Sequence, residues 1–126
     1  MGEEKLYKLI PELNTWVKIP LKTISGYEFL NIKDIIRIES IRNNCMVYYI
    51  GSEKPLRVIS NLIQVEDLIE KKCFFRSHRS HLVNMDHVVR FIEKERKLVT
   101  ANGDAFIAED RLKEFKTRFL KCKYSG

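Results

Sequence analysis

The sequence predicts an α+β fold dominated by strands. Short strand-like runs recur along the chain with turn signals between them, and only two stretches carry the apolar spacing of a helix. A length of 126 residues leaves room for one domain with one modest core.

Residues 1–15 mix polar and apolar side chains around Pro11 without a period, and read as a linker or N-terminal arm to which another domain could attach. A single domain is expected over 16–121, followed by a short tail over 122–126. Val17–Leu21 and Tyr27–Ile32 are expected strands flanking Ser25-Gly26, and Ile35–Ile41 follows Lys33-Asp34. Cys45–Ile50 and Leu56–Ile59 flank Gly51-Ser52, where glycine supplies the positive φ of a hairpin turn. Leu62, Val65 and Ile69 recur at helical spacing within Asn61–Glu70; Asn61 suits the N-cap, and Gln64 three residues on completes a capping box. Val88–Ile92 and Lys97–Thr100 flank the charged turn Glu93–Arg96. Asn102-Gly103, a pair suited to a type I′ turn, leads into an expected strand Ala105–Ala108. The second helix is expected over Asp110–Lys121, with Leu112, Phe115 and Phe119 as a core-facing stripe, Asp110 at the cap and Lys121 near the other end.

Composition narrows the function classes. No apolar run approaches the ~18 residues of a membrane span, and the N-terminus lacks a signal-peptide pattern, so the chain reads as cytoplasmic. The three cysteines, Cys45, Cys73 and Cys122, form an odd set without C-x-x-C spacing, which argues against a disulfide framework and a thiolate zinc site. The net charge of +6 is unevenly placed. Residues 1–70 hold nine Lys/Arg against ten Asp/Glu, whereas residues 71–126 hold fourteen against seven. A basic half suits a polyanion, because each cation set on a phosphate releases condensed counterions. A phosphate-cradling G-x-x-x-x-G-K-[ST] loop, G-x-G-x-x-G, G-x-S-x-G and H-E-x-x-H are all absent, and the carboxylates are scattered among basic neighbours. The chain therefore does not read as an enzyme, and no cofactor is implied.

The segment Phe74–Asn84 is the most unusual: paired apolar residues at each end bracket two Arg, two His and two Ser. Three readings are open from the residues alone. His78 and His81 could hold a metal with Cys73 or His87, though no carboxylate or thiol stands at a supporting interval. A Ser–His pair could serve as nucleophile and base, though no elbow or oxyanion glycine accompanies it. Arginines could reach phosphates and guanine edges while serine donates to phosphate.

Phe75-Arg76-Ser77-His78-Arg79-Ser80-His81-Leu82-Val83-Asn84 resembles the hallmark of LytTR domains, the DNA-binding output domains of many bacterial response regulators. Further features follow in order: the "E-S" strand Ile35–Ser40, a polar loop, a hairpin, the Asn61–Glu70 helix, Asn102-Gly103 and a closing helix with "L-K-E-F". The similarity runs from about residue 17 to about residue 120. It implies an elongated set of small antiparallel sheets with two short helices, whose loops rather than a recognition helix enter successive major grooves.

By this resemblance base contacts come from three places. The first is the loop after the "E-S" strand, with Arg42, Asn43 and Asn44 as candidates; some relatives place a His about where Cys45 stands. The second is the hallmark, with Arg79 at the base-reading position, Arg76 and Ser80 as phosphate partners, and His78 mainly orienting backbone. The third is the turn before the last helix, where many relatives carry Ser-Arg-Arg and this chain carries Ala108-Glu109-Asp110. Two carboxylates repel phosphate, so this turn contacts few groups, reads a cytosine amino group, or leaves the work to Arg111. The resemblance implies a transcription regulator, the output module of a two-component response regulator, with double-stranded DNA as partner. It further implies direct repeats, two copies pairing on DNA, and an upstream receiver domain or a sensor kinase. The acidic third turn supports an alternative: a protein-interaction or anti-activator module.

Overall fold

The computed structural model describes residues 17–70 and 73–121. The expected arm over 1–15 and tail over 122–126 lie outside the described residues. Among the described residues ten strands form three antiparallel sheets. β1 (Lys18–Thr23) and β2 (Gly26–Asn31) make a two-stranded hairpin. β3 (Ile35–Ile41), β4 (Asn44–Tyr49), β5 (Leu56–Val58), β6 (Phe74–His78) and β7 (His81–Asn84) make a five-stranded sheet in the order β5-β4-β3-β7-β6. β8 (Val88–Ile92), β9 (Lys97–Thr100) and β10 (Gly103–Phe106) make the third. The mostly β architecture of small antiparallel sheets with two helices is the one expected, and β3, β8 and β9 keep their expected bounds.

Apolar residues are partitioned into two cores, where the chain length suggested one, because the five-stranded sheet is covered on both faces. The first draws on the β1–β2 hairpin, the helix α1 (Leu62–Ile69) and one face of the five-stranded sheet, with Leu21, Ile38, Val47, Val65 and Leu82 as buried members. The second joins Phe75 and Val83 to Leu98, Ala105, Ile107 and Phe115. Helix α1 begins where the sequence says. The Asn61 side chain accepts from the Gln64 amide, and Gln64 accepts from the Asn61 amide, both at 2.9 Å, so two otherwise orphaned donors are satisfied. In β3 a bulge between Ile35 and Arg37 adds one residue, which lets Ile35 and Ile38 enter the same core although they stand three apart.

The bulge also turns Arg37 to the other face, where it is 8% exposed. Its guanidinium stacks on Tyr48 at 3.8 Å and donates through Nε to the Asn102 carbonyl at 3.1 Å, tying the five-stranded sheet to the β9–β10 turn.

Three further expectations need correction. The β9–β10 connection is not a type I′ turn: Thr100 pairs with Gly103, Asn102 keeps a negative φ, and positive φ (+103°) falls on Gly103 alone. Thr100 Oγ1 fixes this arrangement, accepting from the Asn102 amide and donating to the Gly103 carbonyl. The strand after it accordingly starts at Gly103, two residues earlier than expected. The last helix is not a uniform α-helix capped by Asp110. A 3-10 turn over Glu109–Arg111 leads into the α-helical turn α2 (Leu112–Phe115) and then a π-helical stretch over Lys116–Lys121. Two bonds to β6 pin its start early, Ala108 N–H to Ser77 O at 2.8 Å and Arg111 Nε to Arg76 O at 2.9 Å, leaving Asp110 inside the first turn.

Gly103 meets two demands, its positive φ and a close approach: a Cβ there would stand 2.8 Å from Arg37 Nη2. Gly103→Ala is expected to destabilise the domain by about 1–3 kcal/mol in urea unfolding. An unchanged midpoint would mean that the turn and Arg37 relax freely.

Candidate nucleic-acid interface

The hallmark segment folds into a hairpin, β6–β7, whose tip is Arg79-Ser80. The tip contains no glycine and no residue of positive φ, so side chains define it. His78 Nδ1 accepts from the Ser80 backbone amide at 3.0 Å. Arg76 donates from all three guanidinium nitrogens: Nε to His78 O at 3.0 Å, Nη2 to Arg79 O at 2.7 Å, and Nη1 to Glu66 Oε1 on α1 at 2.9 Å. Arg79 itself is exposed. A bulge between Arg76 and His78 adds Ser77, which is fully buried and donates to Phe106 O at 2.8 Å. Beyond the bulge His78 pairs with His81, ring centroids 5.4 Å apart.

The β3–β4 tip stands beside this one. Ile41 pairs with Asn44, so Arg42-Asn43 is the turn, and both are exposed. Arg42 holds φ +58°, a conformation uncommon outside glycine. Asn44 opens β4 and, in the amide orientation that satisfies both neighbours, accepts from Arg57 at 3.2 Å and donates to Asn43 O at 3.3 Å. Cys45 points the other way, into the first core, and burial pushes its thiol up to about 11. The two tips leave the same end of the sheet, since β3 pairs with β7 through Glu39 and His81 and the Ser40 amide donates to Ser80 O at 2.9 Å.

The third turn closes on the other side of β6. A cleft of about 530 Å³ runs between it and the tip, lined by Glu66, Arg76, His78, Arg79, Asp110 and Arg111 among others. Arg111 is half-buried; besides its bond to Arg76 O it pairs with Glu114 at 3.1 Å. Glu109 and Asp110 are exposed. The structure thus brings all eight candidate residues, Arg42, Asn43, Asn44, Arg76, His78, Arg79, Ser80 and Arg111, to one end of the molecule. It divides them by what they face: Arg42, Asn43 and Arg79 face solvent, while Arg76, His78 and Arg111 bond protein groups. Arg57, outward-facing on β5 beside Asn44, joins the same end and was not singled out from sequence. The alternation Leu56-Arg57-Val58 is the signal that points it outward.

The His78–Ser80 bond uses the serine backbone amide rather than its hydroxyl. Among the described residues no group of three His, Cys, Asp or Glu side chains is placed to hold a metal.

The chain matches the LytTr DNA-binding domain family over residues 25–120. No curated protein matches it significantly. Among solved structures it resembles the LytTr DNA-binding domain of a Bacillus cereus protein described as a methyl-accepting/DNA response regulator. That match has a TM-score of 0.66 and 21% identity, and covers 80% of this chain and 94% of the other.

His81 is buried, and its Nδ1 lacks a hydrogen-bond partner. Burial pushes its pKa below the usual histidine value, against an opposing pull from Glu39; His78 and Arg37 lower it further. An unfolded chain therefore takes up this proton near pH 6.5, before the folded one does, so stability falls as pH drops from there through the depressed folded value. His81→Leu is expected to flatten this slope in urea unfolding between about pH 7.5 and about pH 5. Equal slopes in both proteins would assign the pH dependence to other groups.

Proposed function

Since the chain belongs to the LytTr DNA-binding domain family, we propose that it is a sequence-specific transcription regulator that reads duplex DNA with its loops. The observation that carries this reading is the convergence of three turns at one end, with Arg42, Asn43 and Arg79 presented to solvent. Arginine pairs bidentately with guanine and asparagine with adenine in the major groove, each good pair contributing roughly 1–3 kcal/mol of discrimination. Ser80 and Arg57 supply the phosphate contacts that set the register. The protein acts without catalysis or cofactor, in the bacterial cytoplasm, as the output module of a two-component response regulator. Two copies pair on direct repeats, and the input comes from a receiver domain or a sensor kinase. Among the described residues no helix is long and apolar enough to cross a membrane.

The exposed Glu109 and Asp110 favour a second reading, a protein-interaction or anti-activator module with weak DNA affinity. Selection of bound genomic fragments across a salt series separates the two. An enriched direct-repeat motif with a steep salt slope supports the regulator, whereas no enrichment and binding that vanishes at modest salt support the module.

Two variants refine the outcome. Arg79→Ala is expected to weaken binding to the selected site by about 1–3 kcal/mol while barely changing affinity for random duplex; equal losses would reduce Arg79 to a phosphate contact. Asp110→Arg is expected to tighten binding to random duplex and steepen its salt slope, and no change would mean that the third turn never nears the backbone.

A further inference from the structure

Resting on the duplex reading, we propose that Arg76 is a positioning residue rather than a phosphate contact, and that Arg76 and Glu66 together preset the tip that aims Arg79. The bonding of the guanidinium is the argument. It takes the carbonyls of His78 and Arg79, two consecutive acceptors at the tip, and so fixes the peptide planes on both sides of Arg79. Its third nitrogen is held by Glu66, which stands on α1 in the middle of a capped helix packed into the first core. The far side of the same segment is anchored too, because the Arg76 carbonyl accepts from Arg111.

Besides the guanidinium, the tip is held by the Ser40 amide of β3, which donates to the Ser80 carbonyl, a bond that leaves the peptides flanking Arg79 unfixed. Arg79-Ser80 lacks glycine and the positive φ of a primed hairpin turn, and the His78 ring supplies a single bond, to the Ser80 amide. Without the guanidinium fork two tip residues would regain backbone freedom that binding must then remove. A phosphate on Arg76 would have to displace a carbonyl or the Glu66 carboxylate. The planar fork is also specific to arginine: a lysine ammonium keeps the charge but cannot span three acceptors set around a plane.

This gives a test in which charge and geometry have different signatures. Arg76→Lys keeps the charge, so a phosphate contact would survive it with cognate and random affinity both preserved. The positioning role predicts instead a loss on the order of tenfold on the cognate site, with random-duplex affinity and salt slope unchanged. Glu66→Ala separates the two by sign. Removing a carboxylate near a polyanion tightens binding to every duplex if only electrostatics acts, but weakens cognate binding if the brace is lost. Hydrogen exchange of the Ser80 amide in the free protein supplies a readout without DNA, and is expected to speed up in both variants while the unfolding midpoint stays near wild type.

Preserved cognate affinity in Arg76→Lys, or tighter cognate binding in Glu66→Ala, overturns the proposal; so does unchanged Ser80 exchange. Wild-type protein that selects no sequence, yet shows Ser80 exchange that depends on Arg76 and Glu66, would sink the duplex reading and leave the brace as a structural fact.

Discussion

The β6–β7 hairpin is buried on both faces, and the rest of the structure is arranged around that constraint. Phe74 and Leu82 enter the first core, while Phe75 and Val83 enter the second. Full burial of such side chains contributes roughly 1.5–3 kcal/mol each, so these two strands hold both halves of the domain together. Phe75 joins an aromatic cluster centred on Phe115, standing 5.8 Å from Phe115 and 5.5 Å from Phe119, and this cluster fastens the last helical segment. Polar groups inside the hairpin are matched as burial demands: Ser77 donates to Phe106 O, and Asn84 Nδ2 donates to Ile35 O at 2.9 Å. The Arg79-Ser80 tip is therefore an extension of a strand pair packed on both faces.

Basic residues here do two different jobs. Arg37, Arg76 and Arg111 each donate to a backbone carbonyl and hold one element against another. Arg42 and Arg79 are exposed at the tips. A guanidinium carries five donors and no acceptor, so once it is enclosed beside turn carbonyls it works as a clamp and adds little to the field outside. The charge of the second half of the chain consequently overstates how many cations can meet a polyanion.

The third turn departs from the resemblance in composition more than in position. Its backbone is held to β6 by the Ala108 amide and its cleft faces Arg79, so the turn sits beside the Arg79-Ser80 tip whatever side chains it carries. Exposed Glu109 and Asp110 lower the positive potential there, and Arg111 is partly neutralised by Glu114. On the duplex reading proposed above, electrostatic attraction falls mainly to the first two tips.

Much of the fold was legible in the residues because it follows from local rules. The Asn61–Gln64 capping box, the alternation of Cys45 and Val47, and the bounds of β3, β8 and β9 are set by neighbours in sequence. The Phe74–Asn84 hairpin was not read as strands, because its turn is made by long side chains, Arg76 and His78, where glycine or asparagine would have announced it. The same reason hid the division among the candidate cations. Arg76 and Arg79 stand three residues apart with identical chemistry, and a bulge at Ser77 and a carboxylate on a distant helix decide which one faces inward. By itself, then, the sequence determined the fold class, most strands and the capped start of the first helix, since those depend on hydrogen bonds and burial patterns a few residues long. Only the tertiary structure decided the two-core arrangement, the shape of the last turn and helix, and which arginines are left to meet a partner, since each depends on contacts between segments far apart in the chain.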